Sequence, residues 1–162
     1  MKSNQKLVLL LSENKYHITT CESCTGGLIA SSIIDISGSS AVIDEAYVTY
    51  AASSKVGLVG VDAKLIEKYG VVSSEVACDM ALKAGEKAKA EFAISATGVA
   101  GPTGGDDVNP VGTIWFGFKI FDNVFSVKKV FSGKTRNEVR RLGANFAISH
   151  MYELINSELK MM

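Results

Sequence analysis

Twice in this chain a short strand-like run ends in a turn crowded with small residues, and that pairing constrains the fold more than any other feature. The first run, Tyr16–Thr20, leads into Cys21–Gly27. The second, the apolar Phe92–Ala96, leads into Thr97–Asp107, where glycine, proline and aspartate leave room only for a loop. Helical periods fill the spaces between. Leu7, Leu10 and Leu11 recur within Ser3–Lys15, and Leu28, Ile29 and Ile33 carry an apolar face up to the break at Ser37–Ser40. Short helical pieces follow the strand candidate Glu45–Tyr50, around Ser53–Leu58 and Asp62–Tyr69. Ser73-Ser74-Glu75 opens a longer helix toward Lys89, with Val76, Met80, Ala81 and Ala84 on one side. Gly112–Phe121 and Val124–Phe131 read as a hairpin closed at Asp122-Asn123, and Arg136–Leu159 as a last helix in which Gly143 marks a close packing contact. Strands interleaved with helices and ending in one hairpin predict an α/β fold, a three-layer α/β/α sandwich with a mixed sheet. A single domain over residues 1–162 is expected at this length.

In such sheets ligands bind beyond the carboxyl ends of the strands, so the two turns are expected to line one crevice. The first delivers hydroxyls and backbone N–H groups to a helix N-terminus, which suits a phosphate or an oxyanion. The second lets backbone approach a ligand closely. Thr25, Gly26, Gly27, Gly98, Gly101, Gly104 and Gly105 are therefore substrate-binding candidates. Seventeen Lys+Arg against 17 Asp+Glu leave no broad cationic field, so neither nucleic acid nor a membrane surface is an expected partner. Apolar runs such as Leu7–Leu11 fall far short of a membrane span, and no signal-peptide cleavage site follows the N-terminal run, so a cytoplasmic protein is expected. With 47% hydrophobic residues there is material for a core. Three cysteines include Cys21-x-x-Cys24, which leaves a thiol–disulfide pair open as an alternative. His17 and His150 complete no ligand cluster, so no metal site and no cofactor are expected.

Taken together, Glu22-Ser23-Cys24-Thr25-Gly26-Gly27, Val48-Thr49-Tyr50, Ala96 through Gly105 and Pro110-Val111-Gly112-Thr113-Ile114-Trp115 resemble the CinA C-terminal domain family. The resemblance runs in order from about Leu7 to Leu154 and matches a stand-alone form of that domain. It implies the sandwich seen in anticodon-binding-like domains. It also implies metal-free hydrolysis of nicotinamide mononucleotide, a small-molecule substrate, to nicotinate mononucleotide and ammonia, the activity of some family members. Ser23 falls on the family's nucleophile, Lys55 on its general base, and Tyr50 and Thr97 on its supporting hydroxyls. The functional arginine falls on Arg140, with Arg136 second because Gly133-Lys134-Thr135-Arg136 departs from the family's usual approach. Two other departures are Ala51-Ala52-Ser53-Ser54 and Asn109, where members commonly carry Ser-Asn-Glu and a lysine. They keep open a member that binds a nucleotide without hydrolysing it. A homodimer is the expected assembly.

The chemistry of the assigned residues is coherent. A serine hydroxyl must lose its proton as it attacks an amide, and a lysine can take that proton only as a neutral amine, which requires burial or a cationic neighbour. Arg140 is the expected neighbour and a phosphate ligand besides. Backbone N–H groups at the start of the helix after Ser23 are the expected oxyanion donors.

Overall fold

The computed structural model describes residues 1–162. Its centre is a five-stranded mixed sheet in the order β2-β1-β3-β4-β5: β1 (Ile18–Glu22), β2 (Tyr47–Val48), β3 (Phe92–Gly98), β4 (Thr113–Ile120) and β5 (Asn123–Val130). β1 runs parallel to both β2 and β3, while β4 and β5 are antiparallel additions. The helices α1 (Ser3–Asn14), α2 (Leu28–Ile34) and α6 (Arg136–Met161) cover one face, and α4 (Ala63–Tyr69) and α5 (Ser74–Ala88) the other. The expected three-layer sandwich is observed.

Strand alternation sorts the core. Phe92, Ile94 and Ala96 of β3 and Ile114, Phe116 and Phe118 of β4 face the larger core with Leu7, Leu11, Ile29, Ile33, Val139 and Met151. The opposite face carries small residues, because α5 lies almost on the sheet. Ser95 Oγ donates to the Ala77 carbonyl of α5 and accepts from Gly117 N at 3.0 Å. A Cβ at Gly117 would collide with that same carbonyl, whose position is held by the helix. Gly117→Ala is therefore expected to lower unfolding free energy by about 2–3 kcal/mol in a urea titration. Gly143 is the close contact that its place in α6 suggests, since a Cβ there would lie 2.6 Å from Ile114 Cδ1.

The start of α5 matches its sequence signal, and α6 is capped as well. Ser73 caps α5 by accepting from Val76 N, and Thr135 with Glu138 forms a capping box on α6. Strand ends differ from the sequence reading. β1 begins two residues later and continues through Cys21 and Glu22, which pair with Ser95 and Ala96 on one side and with Tyr47 and Val48 on the other. β2 is only two residues long. β3 extends through Thr97 and Gly98, where a loop is expected, because both pair with β4. Gly98 permits this pairing: a Cβ there would meet the Thr113 carbonyl. The hairpin turns at Phe121-Asp122, with Ile120 opposite Asn123 and Phe121 at φ 52°. The Phe121 ring packs against Tyr16 and Phe92, and this contact holds the residue in a conformation it rarely adopts.

Candidate active site

The ends of β1, β2 and β3 converge on Ser23. Its N–H donates to the Ala96 carbonyl at 2.8 Å, one step beyond the strand, and Thr49 N donates to the Glu22 carbonyl at 2.8 Å on the other side. The chain then turns sharply through Gly26 (φ 58°) and Gly27 (φ 97°) into α2. After β2, the helical piece α3 (Ala52–Ser54) widens into a single π turn, Lys55–Val59. Lys55 opens that turn, and its side chain reaches back beneath the end of β2. Its Nζ donates to the Thr49 carbonyl at 2.7 Å and lies 3.0 Å from Ser23 Oγ.

Lys55 is only 1% exposed, and no carboxylate pairs with it: the one contact between a basic and an acidic side chain lies between His17 and Asp44. Loss of water around the amine lowers its pKa from the ordinary lysine value. Thiolates at Cys21 and Cys24 would oppose that effect, but burial pushes these thiols up to about 11 and about 12, so both stay neutral. The cationic neighbour expected from Arg140 is not among the causes; burial is.

Ser23 and Lys55 open into a cleft of about 360 Å³ whose walls are the second glycine turn, Thr97 to Gly101 with Thr103 and Gly104, and the segment Val71–Val72 between α4 and α5. Cys24, Tyr50, Ala52 and Arg136 complete the lining. Thr97 is buried and donates to the Val71 carbonyl at 2.7 Å, so its hydroxyl ties the two walls together. Asn109 does the same further out, donating to the Val72 carbonyl at 3.0 Å and accepting from Trp115 Nε1 at 3.1 Å. Tyr50 stands 64% exposed at the rim, where its hydroxyl accepts from Arg136 Nη2 at 2.8 Å. Arg136 Nη1 donates to the Gly101 carbonyl at 2.7 Å, so this guanidinium spans the mouth.

The sequence ranking of the two arginines is reversed in space. Arg140, one turn further along α6, does not line the cleft. It braces the serine turn from below, with Nε donating to the Cys24 carbonyl at 2.9 Å and Nη2 to that of Thr25 at 3.3 Å. The glycine candidates also divide. Gly98, Gly101 and Gly104 line the cleft, while Gly26, Gly27 and Gly105 do not; Gly105 packs on Val111, whose backbone N would lie 2.6 Å from a Cβ there.

Thr25 is buried, and its hydroxyl donates to Glu22 at 2.7 Å instead of facing the cleft. The α2 N-terminus is likewise not free for an anion, because the Ile29 and Ala30 N–H groups both donate to the Glu22 carboxylate. Sequence reasoning treats Glu22 as part of a motif and misses this role. An acid between a strand and a glycine turn that opens a helix is the signal available for it. The Val71–Val72 wall carries no such signal.

Cys21 and Cys24 do not form a redox pair in this geometry. Cys21 packs with Tyr47, Val76 and Met80 on the α5 side, and Cys24 packs in the core on the other face. Both are free thiols, and both are raised in pKa, the reverse of what a reactive CxxC thiolate needs. No three His, Cys, Asp or Glu side chains gather as a metal-binding group.

Fold and site together define an α/β protein with a buried serine–lysine pair at the carboxyl ends of its parallel strands. The chain belongs to the CinA C-terminal domain family, whose family model matches residues 1–155. It is 46% identical over 139 residues to the nicotinamide-nucleotide amidohydrolase PncC of Enterobacter agglomerans, covering 85% of this chain and 84% of that protein. The PncC of Escherichia coli (strain K12) is 39% identical over 137 residues, 84% of this chain and 82% of that one. A CinA-like protein of Petrotoga mobilis is 36% identical over 90% of this chain, which spans 36% of that longer relative. Among solved structures, the competence/damage inducible protein CihA from Agrobacterium tumefaciens superposes with a TM-score of 0.90 at 33% identity, over 94% of this chain and 93% of that one.

Proposed function

We propose that the protein hydrolyses the carboxamide of nicotinamide mononucleotide to nicotinate mononucleotide and ammonia, with Ser23 as nucleophile and Lys55 as its base. The observation that carries this reading is Lys55 Nζ, stripped of water and unpaired with any carboxylate, 3.0 Å from Ser23 Oγ. The similarity to two amidohydrolases named PncC supports the substrate.

Neutral Lys55 takes the Ser23 proton as Oγ bonds to the carboxamide carbon, giving a tetrahedral oxyanion and an ammonium on Lys55. That ammonium returns its proton to the departing nitrogen, ammonia leaves, and the nicotinoyl group remains as an ester on Ser23. A water then attacks the ester with its proton passing to Lys55, and the acid departs as Ser23 recovers its hydrogen. With the α2 N–H groups held by Glu22, the oxyanion falls to the turn itself, to the N–H of Cys24, the turn residue after Ser23 that lines the cleft. Thr97 keeps the cleft walls in register. Arg136, with Tyr50 beside it, meets the substrate phosphate at the mouth, since a guanidinium pairs with phosphate bidentately.

Ammonia release from purified protein supplied with nicotinamide mononucleotide, unchanged after prolonged EDTA treatment, is the expected result. No release, or activity lost to EDTA and restored by zinc, overturns the reading. Arg136→Ala is expected to raise KM by roughly tenfold to a hundredfold with a smaller change in kcat, as loss of a contact made equally in ground and transition states requires. The reading takes in a single domain over residues 1–162 and a cytoplasmic homodimer, the last checked by size-exclusion chromatography with light scattering.

A further inference from the structure

Glu22 directly precedes Ser23 and takes no part in the chemistry above. It is fully buried, and no basic side chain pairs with it. Its carboxylate is satisfied by donors alone. Oε1 accepts from Thr25 Oγ1 at 2.7 Å and from Ile29 N at 2.8 Å, and Oε2 from Thr20 Oγ1 and Ala30 N, both at 3.0 Å. These donors come from the strand before Ser23, the turn after it and the helix beyond. Two of them are backbone N–H groups, which cannot reverse to accept, so the site suits a group that accepts at every position.

We propose that Glu22 is the positioning residue for Ser23: by tying strand, turn and helix to one carboxylate, it fixes the serine oxygen at its reacting distance from Lys55. This rests on the reading of Ser23 as nucleophile. Glu22 does not line the cleft, so it acts on the geometry of reaction and not on substrate binding.

Glu22→Gln keeps the shape, but whichever way the amide is turned its NH2 confronts Ile29 N–H or Ala30 N–H. The expected result is a kcat lowered on the order of tenfold to a hundredfold, as small misplacements of reacting groups produce, with KM within about twofold of wild type. Labelling of Ser23 by a fluorophosphonate probe should slow in parallel, and this readout does not depend on the substrate assigned. Thr25→Val, which removes one donor and leaves the carboxylate, should show the same pattern at smaller amplitude, and it carries the test if Glu22→Gln does not fold. Wild-type kcat and labelling rate in the folded variants overturn the proposal. So does a raised KM at unchanged kcat, or a loss wholly accounted for by the unfolded fraction in circular dichroism. A wild-type protein that the probe does not label at Ser23 instead removes the nucleophile reading, and with it the ground of this proposal.

Discussion

Ser23→Ala is expected to lower turnover of nicotinamide mononucleotide by at least about a thousandfold while leaving the circular dichroism spectrum and thermal midpoint near wild type. The change removes the atom that forms the covalent intermediate, and the loss of a nucleophile falls on kcat. It also removes few contacts, because the backbone bond from Ser23 N to the Ala96 carbonyl survives the substitution. Cys21→Ser, two residues earlier, should stay within about twofold of wild type, since that thiol faces the α5 core and lies outside the cleft. The opposite order of effects would restore a thiol chemistry that the burial of Cys21 and Cys24 opposes. Ammonia release under saturating substrate decides between them.

Lys55→Arg is the sharper experiment, because it keeps the positive charge and removes only the ability to shed it. A guanidinium does not lose its proton near neutral pH, so a loss of at least about a hundredfold is expected. In the wild type, burial lowers the Lys55 pKa and the neutral amine is the competent form. The rate should therefore climb about tenfold per pH unit below that lowered value and level off above it. A wild type whose rate falls with rising pH through this range, or a folded Lys55→Arg protein with near wild-type turnover, would move the base elsewhere.

The elements that show themselves in the sequence are those decided locally. Ser73 announces the start of α5 because a cap is a bond between near neighbours. The ends of β1 and β3 are decided by partners far along the chain. Glu22 and Thr97 look like turn residues, yet each belongs to a strand because Ala96 and Trp115 offer it a ladder position. The site divides the same way. Ser23, Lys55, Tyr50 and Thr97 stand out through a family pattern, and the cleft brings all four together. What the pattern does not carry is the environment: that Lys55 is dry because a π turn folds it under the Thr49 carbonyl, or that Arg136 reaches the mouth while Arg140 turns to the carbonyls of Cys24 and Thr25. Those outcomes depend on where one helix turn falls relative to another segment, from six residues away for Lys55 and Thr49 to 116 for Arg140 and Cys24.

The dry lysine has an evolutionary and practical consequence. Between its lowered pKa and the ordinary lysine value near 10.4, the unfolded chain holds a proton that the folded chain does not, so the fold gains stability as pH rises across that window and is penalised below it. An apolar side chain such as methionine at 55 carries no such penalty. Heat-resistance screens run at neutral pH will therefore enrich variants that have discarded this amine, robust and silent, and a library selected on endurance alone will drift away from the chemistry unless ammonia release is scored in the same round.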